Sequence, residues 1–266
     1  MGVLGIIAGA GDFPLHICDR VHALGDRCVI AGIEGASHSR LEENADVFER
    51  FRLGDLSRMV SFLKENEVVK AVFAGKVEHR NVLDPQSLSP EVLRILERLP
   101  DLNPKTILKA LISYFSGKGI QIVQPTEFIK PLLCPPGILS TTQPTASIEE
   151  DIHFGWDKAR RLADLDIGQT LVVKNRSVIA VEGMEGTDEA IRRAGRLAGS
   201  GAVVIKLGRT HQDFRIDLPA VGFQTMEAAV EAGISALCFE AGVLPFFQRE
   251  EALKLADDHG IAVIAR

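Results

Sequence analysis

The chain has 266 residues, 46% hydrophobic and 25% charged, enough to bury a sizeable core in one large or two compact domains. Thirty basic residues against 36 acidic ones leave a net charge of −6, without the basic excess that marks a nucleic-acid binder. Disorder, collagen-like sequence and a disulfide-stapled mini-protein are excluded, and no nucleic-acid partner is expected.

The first 125 residues alternate short apolar runs with amphipathic stretches. Residues 3–8 and 27–33 read as buried strands, with a helix over 13–24 between them that stops before Gly25. A helix follows over 56–66, with Met59, Val60 and Leu63 on one face, and then a strand over 69–74 that ends at Gly75. Ser89-Pro90-Glu91 and Asn103-Pro104-Lys105 are N-cap-then-proline starts, opening helices at about 90–99 and 104–116. A strand over 119–123 closes the series, which predicts a Rossmann-like parallel sheet covered on both faces, over residues 1–130. Residues 131–145 hold four prolines and read as an extended linker. Ser147-Ile148-Glu149-Glu150 reads as a capping box that opens a helix to about 165. A hairpin (170–174 and 178–182), helices at 188–198, 225–232 and 249–258, and strands at 202–207, 235–239 and 261–265 complete a second α/β domain over 146–266.

Four cysteines (Cys18, Cys28, Cys134, Cys238) stand far apart, form no C-x-x-C and meet no histidine at zinc-finger spacing. They read as small buried hydrophobes in a reducing compartment. The start Met1-Gly2-Val3-Leu4 has no leader pattern, and no run of about 18 apolar residues is present. The expectation is a cytoplasmic protein, with contact at a membrane surface left open.

Four clusters carry chemistry. Gly9-Ala10-Gly11-Asp12-Phe13-Pro14 mimics a dinucleotide fingerprint after the first strand, with Glu34 placed like a ribose-binding acid. Pro14 replaces its third glycine, and Asp12 puts a negative charge beside the phosphate position. A phosphate-binding turn and a plain tight turn both remain open. Phe73-Ala74-Gly75-Lys76-Val77-Glu78-His79-Arg80 sets Lys76, His79 and Arg80 at the carboxyl end of a strand, where an anion or plain solvent would suit them. Val181-Glu182-Gly183-Met184-Glu185-Gly186-Thr187-Asp188 precedes a helix and suits an anion, a cation or simple capping. The fourth is Lys206-Leu207-Gly208-Arg209-Thr210-His211-Gln212-Asp213-Phe214-Arg215-Ile216-Asp217-Leu218-Pro219. If extended, it puts Asp213, Arg215 and Asp217 on one face, as a Mg²⁺-and-phosphate site or as an exposed ladder.

Taken in order, Leu4-Gly5-Ile6-Ile7-Ala8-Gly9, Phe73-Ala74-Gly75-Lys76-Val77, Leu165-Asp166-Ile167-Gly168-Gln169, Glu182 with Glu185-Gly186-Thr187-Asp188, and Arg215-Ile216-Asp217-Leu218-Pro219 resemble the UDP-2,3-diacylglucosamine pyrophosphatase family of the LpxI type across nearly the whole chain. The resemblance implies a Mg²⁺-assisted hydrolase of lipid A biosynthesis. It would cleave UDP-2,3-diacylglucosamine to UMP and 2,3-diacylglucosamine 1-phosphate (lipid X). It also implies a Rossmann-like first domain, a distinct second α/β domain, substrate held between them, and a homodimer. Asp217 falls on the family's catalytic aspartate.

Diphosphate hydrolysis needs neutralised oxygens and an oriented water. Asp217 is the expected catalytic residue, as metal ligand or water-orienting group. Asp213 and Glu182 are further candidates for Mg²⁺, with Mn²⁺ as an alternative. Lys206 and Arg215 would neutralise phosphate, Thr187 would donate to it, and Gly9, Gly11, Gly75 and Lys76 would line the substrate. Leu132, Leu133, Ile138, Leu139, Leu244, Phe246 and Phe247 are candidates for contact with the acyl chains. Two other readings stand beside this one: an NAD(P)-linked oxidoreductase using the Gly9-Ala10-Gly11 turn, and a non-catalytic nucleotide- or lipid-binding module.

Overall fold

The computed structural model describes residues 2–37, 39–77 and 88–266. It divides into two compact units. The first comprises Met1–Ile129 together with Asp213–Asp217, and the second comprises Lys130–Gln212 with Leu218–Arg266. Among the described residues, no helix is long and apolar enough to cross a membrane.

The first unit is built on five parallel strands: β1 (Val3–Ala8), β2 (Arg27–Ile33), β3 (Val47–Phe51), β4 (Lys70–Ala74) and β5 (Gln121–Ile122), in the spatial order β3-β2-β1-β4-β5. β1 and β2 are buried along almost their whole length, as expected where helices cover a parallel sheet. Helix α1 (Phe13–Ala23) packs on β1 and β2. The short α2 (Arg40–Asn44) leads into β3, and α3 (Leu56–Glu65) buries Leu56, Met59, Val60, Phe62 and Leu63. Helices α4 (Pro90–Leu96) and α5 (Pro104–Gly117) start as the proline motifs predict, with Ser89 accepting from the Val92 N–H and Asn103 from the Lys105 N–H. A one-turn α6 (Thr126–Ile129) ends the unit's main segment.

Sequence patterning misses β3. Its Val-Phe-Glu-Arg-Phe run has only Phe51 buried, because it is the edge of the sheet and faces water. Tertiary bonding creates it: Asp46 accepts from the Cys28 N–H at 2.7 Å, and the Asp46 N–H donates to the Cys28 carbonyl at 3.0 Å.

The second unit carries a six-stranded mixed sheet in the order β6-β11-β10-β9-β7-β8. Its strands are β6 (Gly137–Ile138), β7 (Thr170–Lys174), β8 (Ser177–Val181), β9 (Val203–Lys206), β10 (Ala236–Phe239) and β11 (Ala262–Ala265). Its helices are α7 (Ala146–Asp164), α8 (Thr187–Ala198), α9 (Phe223–Glu231) and α10 (Arg249–Asp258). Alternation along each strand divides the core. Leu171, Val203, Ile205, Ala236 and Ile264 join Ile152, Ala159 and Leu162 of α7, while Val172, Val204, Leu237 and Val263 join residues of α8, α9 and α10.

Two sequence expectations change here. Residues 131–145, read from the sequence as an extended linker, are grouped with the second unit and bonded to it. The Cys134 N–H donates to the Leu244 carbonyl, β6 pairs antiparallel with β11, and the Ser140 hydroxyl accepts from the Val263 N–H at 2.8 Å. Proline is tolerated here because the segment runs along a sheet edge, where few donors are required. Helix α7 begins before the proposed capping box, with Thr145 as N-cap accepting from the Ile148 N–H. All four cysteines are buried and free, and burial pushes the Cys134 and Cys238 thiols up to about 12.

Candidate active site

In the first unit, β1 and β4 are neighbours at the point where strand order reverses, the position that favours ligands in open parallel sheets. Gly9 and Gly75 sit just beyond their carboxyl ends. The Gly9 N–H donates to the Ala74 carbonyl, and Ala10 and Lys76 exchange both backbone hydrogen bonds, at 2.8 and 2.9 Å. A Cβ on Gly9 would lie 2.5 Å from the Lys76 carbonyl oxygen, and one on Gly75, at φ +88°, would lie 2.6 Å from the Ala10 carbonyl oxygen. These glycines therefore permit two turns to pack backbone on backbone. The amides of Gly9 and Ala10 are thus spent inside the fold. Gly11, at φ +92°, meets nothing within 4 Å. Glu78, His79 and Arg80 of the second cluster lie outside the described residues.

The same strand ends floor an apolar cavity of about 250 Å³. Ile7, Phe73 and Gly75 contribute from the sheet, Met59 from α3, Ile95 from α4 and Leu108 from α5, and the lining is apolar among the described residues. The residues expected to contact acyl chains lie elsewhere, in the second unit. Leu244 and Phe246 are fully buried core, and Leu139 packs against that core.

The Asp213-Phe214-Arg215-Ile216-Asp217 segment is not extended. It is a tight turn in which the Ile216 and Asp217 N–H groups both donate to the Asp213 carbonyl, at 3.0 and 3.2 Å. The expected one-face ladder is therefore absent, because local hydrogen bonding closes the turn. The Asp213 carboxylate accepts from the Arg215 N–H at 3.1 Å, from Nε at 2.9 Å and from Nη2 at 2.7 Å. This bidentate contact holds the Asp213 carboxyl below its ordinary 3.8, with a smaller contribution from Lys109 of α5. Ile216 packs against the core cluster that includes the cavity residues Ile7, Met59 and Phe115. Asp217 is half-buried.

In the second unit, three of the residues singled out from sequence come together. Lys206, at the end of β9, donates to the Thr187 hydroxyl at 2.6 Å and stands 4.0 Å from the Glu182 carboxylate. Thr187, first residue of α8, donates to Glu182 at 3.0 Å, and the Gln169 N–H donates to the other carboxylate oxygen at 3.1 Å. The Lys206 and Glu182 side chains are 6% and 13% exposed, so this is a nearly buried, internally satisfied pair. Gly168 is required beside it, because a Cβ there would lie 2.2 Å from the Glu182 carbonyl oxygen.

The loop after β9 is pinned by Arg160, Asp164 and Glu240, which sequence reading passes over, and by Asp166. Arg160 of α7 bonds the Gly208 carbonyl and reaches Glu240 at 2.6 Å, and Glu240 in turn accepts from the Gly208 N–H at 2.8 Å. Asp164 accepts from both the N–H and the hydroxyl of Thr210, and Arg209 pairs with Asp166 at 2.6 Å. The separation of 80 residues between Arg160 and Glu240 leaves no local signal.

No group of three His, Cys, Asp or Glu side chains among the described residues is placed to hold a metal. Both oxygens of Asp213 are engaged by Arg215, and both oxygens of Glu182 accept hydrogen bonds. This donor set does not make a preformed cage. It suits only a Mg²⁺ that arrives coordinated by phosphate oxygens and takes one further carboxylate, a common arrangement for that ion.

The model of the LpxI N-terminal domain matches residues 3–132, and that of the LpxI C-terminal domain matches residues 135–264. The UDP-2,3-diacylglucosamine pyrophosphatase LpxI of Caulobacter vibrioides is 30% identical over 280 aligned positions, covering 99% of this chain and 97% of that protein. Among solved structures, the biotin carboxylase domain of Hydrogenobacter thermophilus 2-oxoglutarate carboxylase is 13% identical, covers 73% of this chain and 41% of its own, and has a TM-score of 0.30. Phosphoribosylglycinamide synthetase from Anaerococcus prevotii is 12% identical, covers 74% of this chain and 43% of its own, with a TM-score of 0.25. Likenesses this faint carry no argument. Matched from one end to the other by both domains of a single family, and aligned along almost its whole length with a member of it, the chain belongs to the LpxI family.

Proposed function

We propose that this chain hydrolyses the diphosphate of UDP-2,3-diacylglucosamine, giving UMP and 2,3-diacylglucosamine 1-phosphate (lipid X) for lipid A biosynthesis. The observation that carries this reading is the alignment with a UDP-2,3-diacylglucosamine pyrophosphatase over 99% of the chain. The first unit supports it by combining what an amphiphilic anion requires, an apolar cavity and a charged turn tied to the same core cluster.

Asp217 is the proposed catalytic residue. Its carboxylate orients a water and accepts its proton as the water oxygen bonds to phosphorus and the bridging P–O bond breaks. Arg215 neutralises the charge that builds on the phosphate oxygens, and its orientation is set by Asp213. Asp213 is thus assigned to holding Arg215 rather than to binding metal. Glu182, Thr187 and Lys206 fix the ends of β7, β8 and β9. A Mg²⁺ or Mn²⁺ ion brought in with the diphosphate would be held by Asp217 as its protein carboxylate and would supply further charge neutralisation. The working protein is proposed to be a cytoplasmic homodimer that touches the inner membrane surface, where the lipid substrate lies.

Product analysis in ¹⁸O-water tests the reaction. The chain is incubated with UDP-2,3-diacylglucosamine and Mg²⁺, and the products are resolved by mass. UMP and lipid X should appear, with the label on one of them marking the phosphorus attacked. Unchanged substrate across a Mg²⁺ and Mn²⁺ titration would reject the reading.

A further inference from the structure

We propose that the apolar cavity of the first unit is an acyl-chain pocket that takes one acyl chain of the substrate and measures its length. This assignment rests on the lipid-hydrolase reading and extends it to a specific binding site.

Three observations carry it. First, protein interiors hold few voids larger than a water molecule, yet here about 250 Å³ stands open among apolar side chains and glycine. An engineered apolar cavity of about 150 Å³ already binds benzene, so this one accommodates a longer hydrocarbon segment. Second, the cavity is lined by Ile7, Gly9, Ala74 and Gly75 at the carboxyl ends of β1 and β4, where the strand order reverses and ligands of parallel sheets are held. Third, the polar groups that suit the rest of an anionic lipid are anchored to the same cluster. Ile216 packs on it, carrying Arg215 and Asp217 on either side in sequence. Lys109 lies on α5 between the cavity residues Leu108 and Leu111. A hydrocarbon pocket, a guanidinium, a lysine and the proposed catalytic carboxylate therefore share one unit. That combination matches a phosphorylated acyl lipid and does not match a free nucleotide.

Length measurement follows from the finite volume. Each methylene that enters the pocket is worth about 0.8 kcal/mol, so each should lower KM about fourfold until the cavity is full, after which KM levels off. Phe115, Met59 and Ile7, all 8% exposed or less, are buried residues of that lining.

The test uses the full chain in two assays. In the first, fluorescent fatty acids of ten to sixteen carbons are titrated onto the wild type and onto Leu108→Trp and Ile95→Trp, which fill the cavity from different helices. In the second, KM is measured for substrates with acyl chains of graded length. The expected result is saturable fatty-acid binding weakened at least tenfold in both variants, with circular dichroism unchanged. KM should fall with chain length to a plateau in the wild type, and the plateau should move to shorter chains in whichever variant folds. Fatty-acid binding that both variants leave untouched, or a KM that ignores chain length, overturns the pocket. If fatty acid binds and the variants abolish it while no lipid diphosphate is hydrolysed, the pocket stands and the hydrolase reading falls.

Discussion

Replacing Asp213 by alanine separates two roles for that carboxylate, metal ligand and holder of Arg215. The wild-type side chain accepts three hydrogen bonds from Arg215, at 2.7, 2.9 and 3.1 Å. The two side chains are 33% and 36% exposed, so solvent screening reduces the stability at stake to about 1 kcal/mol. For a domain of this size that is a drop of roughly 2–4 °C in Tm. The functional cost is of similar size in free energy but is read as a rate. A released arginine must be re-ordered on substrate, at about 0.5–1.5 kcal/mol, which is a loss of up to about tenfold in kcat/KM. If Asp213 acts through Arg215, then Arg215→Ala and the Asp213→Ala/Arg215→Ala double variant should have equal kcat/KM, and the Mg²⁺ concentration for half-maximal rate should not move. The pH dependence has a definite sign. Arg215 depresses the folded pKa of Asp213 below 3.8. Its stabilisation is therefore fully present above about pH 5 and is lost as the pH falls through the folded value. The Tm difference between wild type and Asp213→Ala should be flat through neutrality and close as the pH falls below the ordinary 3.8 and through the depressed folded value. A double variant about tenfold worse than Arg215→Ala, together with a higher Mg²⁺ requirement, would refute the holding role and restore Asp213 to the metal.

Asp217→Ala should still fold and lose about 10²–10⁴ in kcat, the scale of a positioned acid–base group; a well-folded variant with near-normal kcat would remove Asp217 from the mechanism. Glu182→Gln should destabilise the protein by about 1–3 kcal/mol in urea titration, because it removes the negative charge 4.0 Å from the nearly buried Lys206 ammonium. Adding Lys206→Met should recover most of that loss, and a double variant as unstable as the single one would contradict the assignment. Gly75→Ala, which combines φ +88° with a 2.6 Å clash, should lose about 1–3 kcal/mol. Gly11→Ala, strained but in open space, should lose less, and equal losses would show that backbone packing is not what requires Gly75.

The sequence by itself determined the α/β class, most of the elements and the family. Hydrophobic periodicity is a local property, and buried parallel strands such as β1 and β2 appear as unbroken apolar runs. The proline starts of α4 and α5 were legible for the same reason, since a cap needs only neighbouring residues. The family was legible because several short runs, each weak alone, occur in one order along the chain.

Tertiary structure decided the rest. It made an edge strand of Val47–Phe51, because a sheet supplies the bonding partners that an exposed, charged run lacks. It drew the proline-rich stretch into the second sheet through β6, and it returned Asp213–Asp217 to the first unit. The charged motif promised a face of alternating side chains. Competition from the Asp213 carbonyl and carboxylate closed it into a turn, so Asp213 is committed to Arg215. Lys206 and Glu182 read as candidate ligands but are bonded to one another's partners, since burying either charge alone would be costly. The cavity, finally, is walled by residues from three strands and three helices far apart in sequence. Each one read singly as ordinary core, and only their meeting leaves a space.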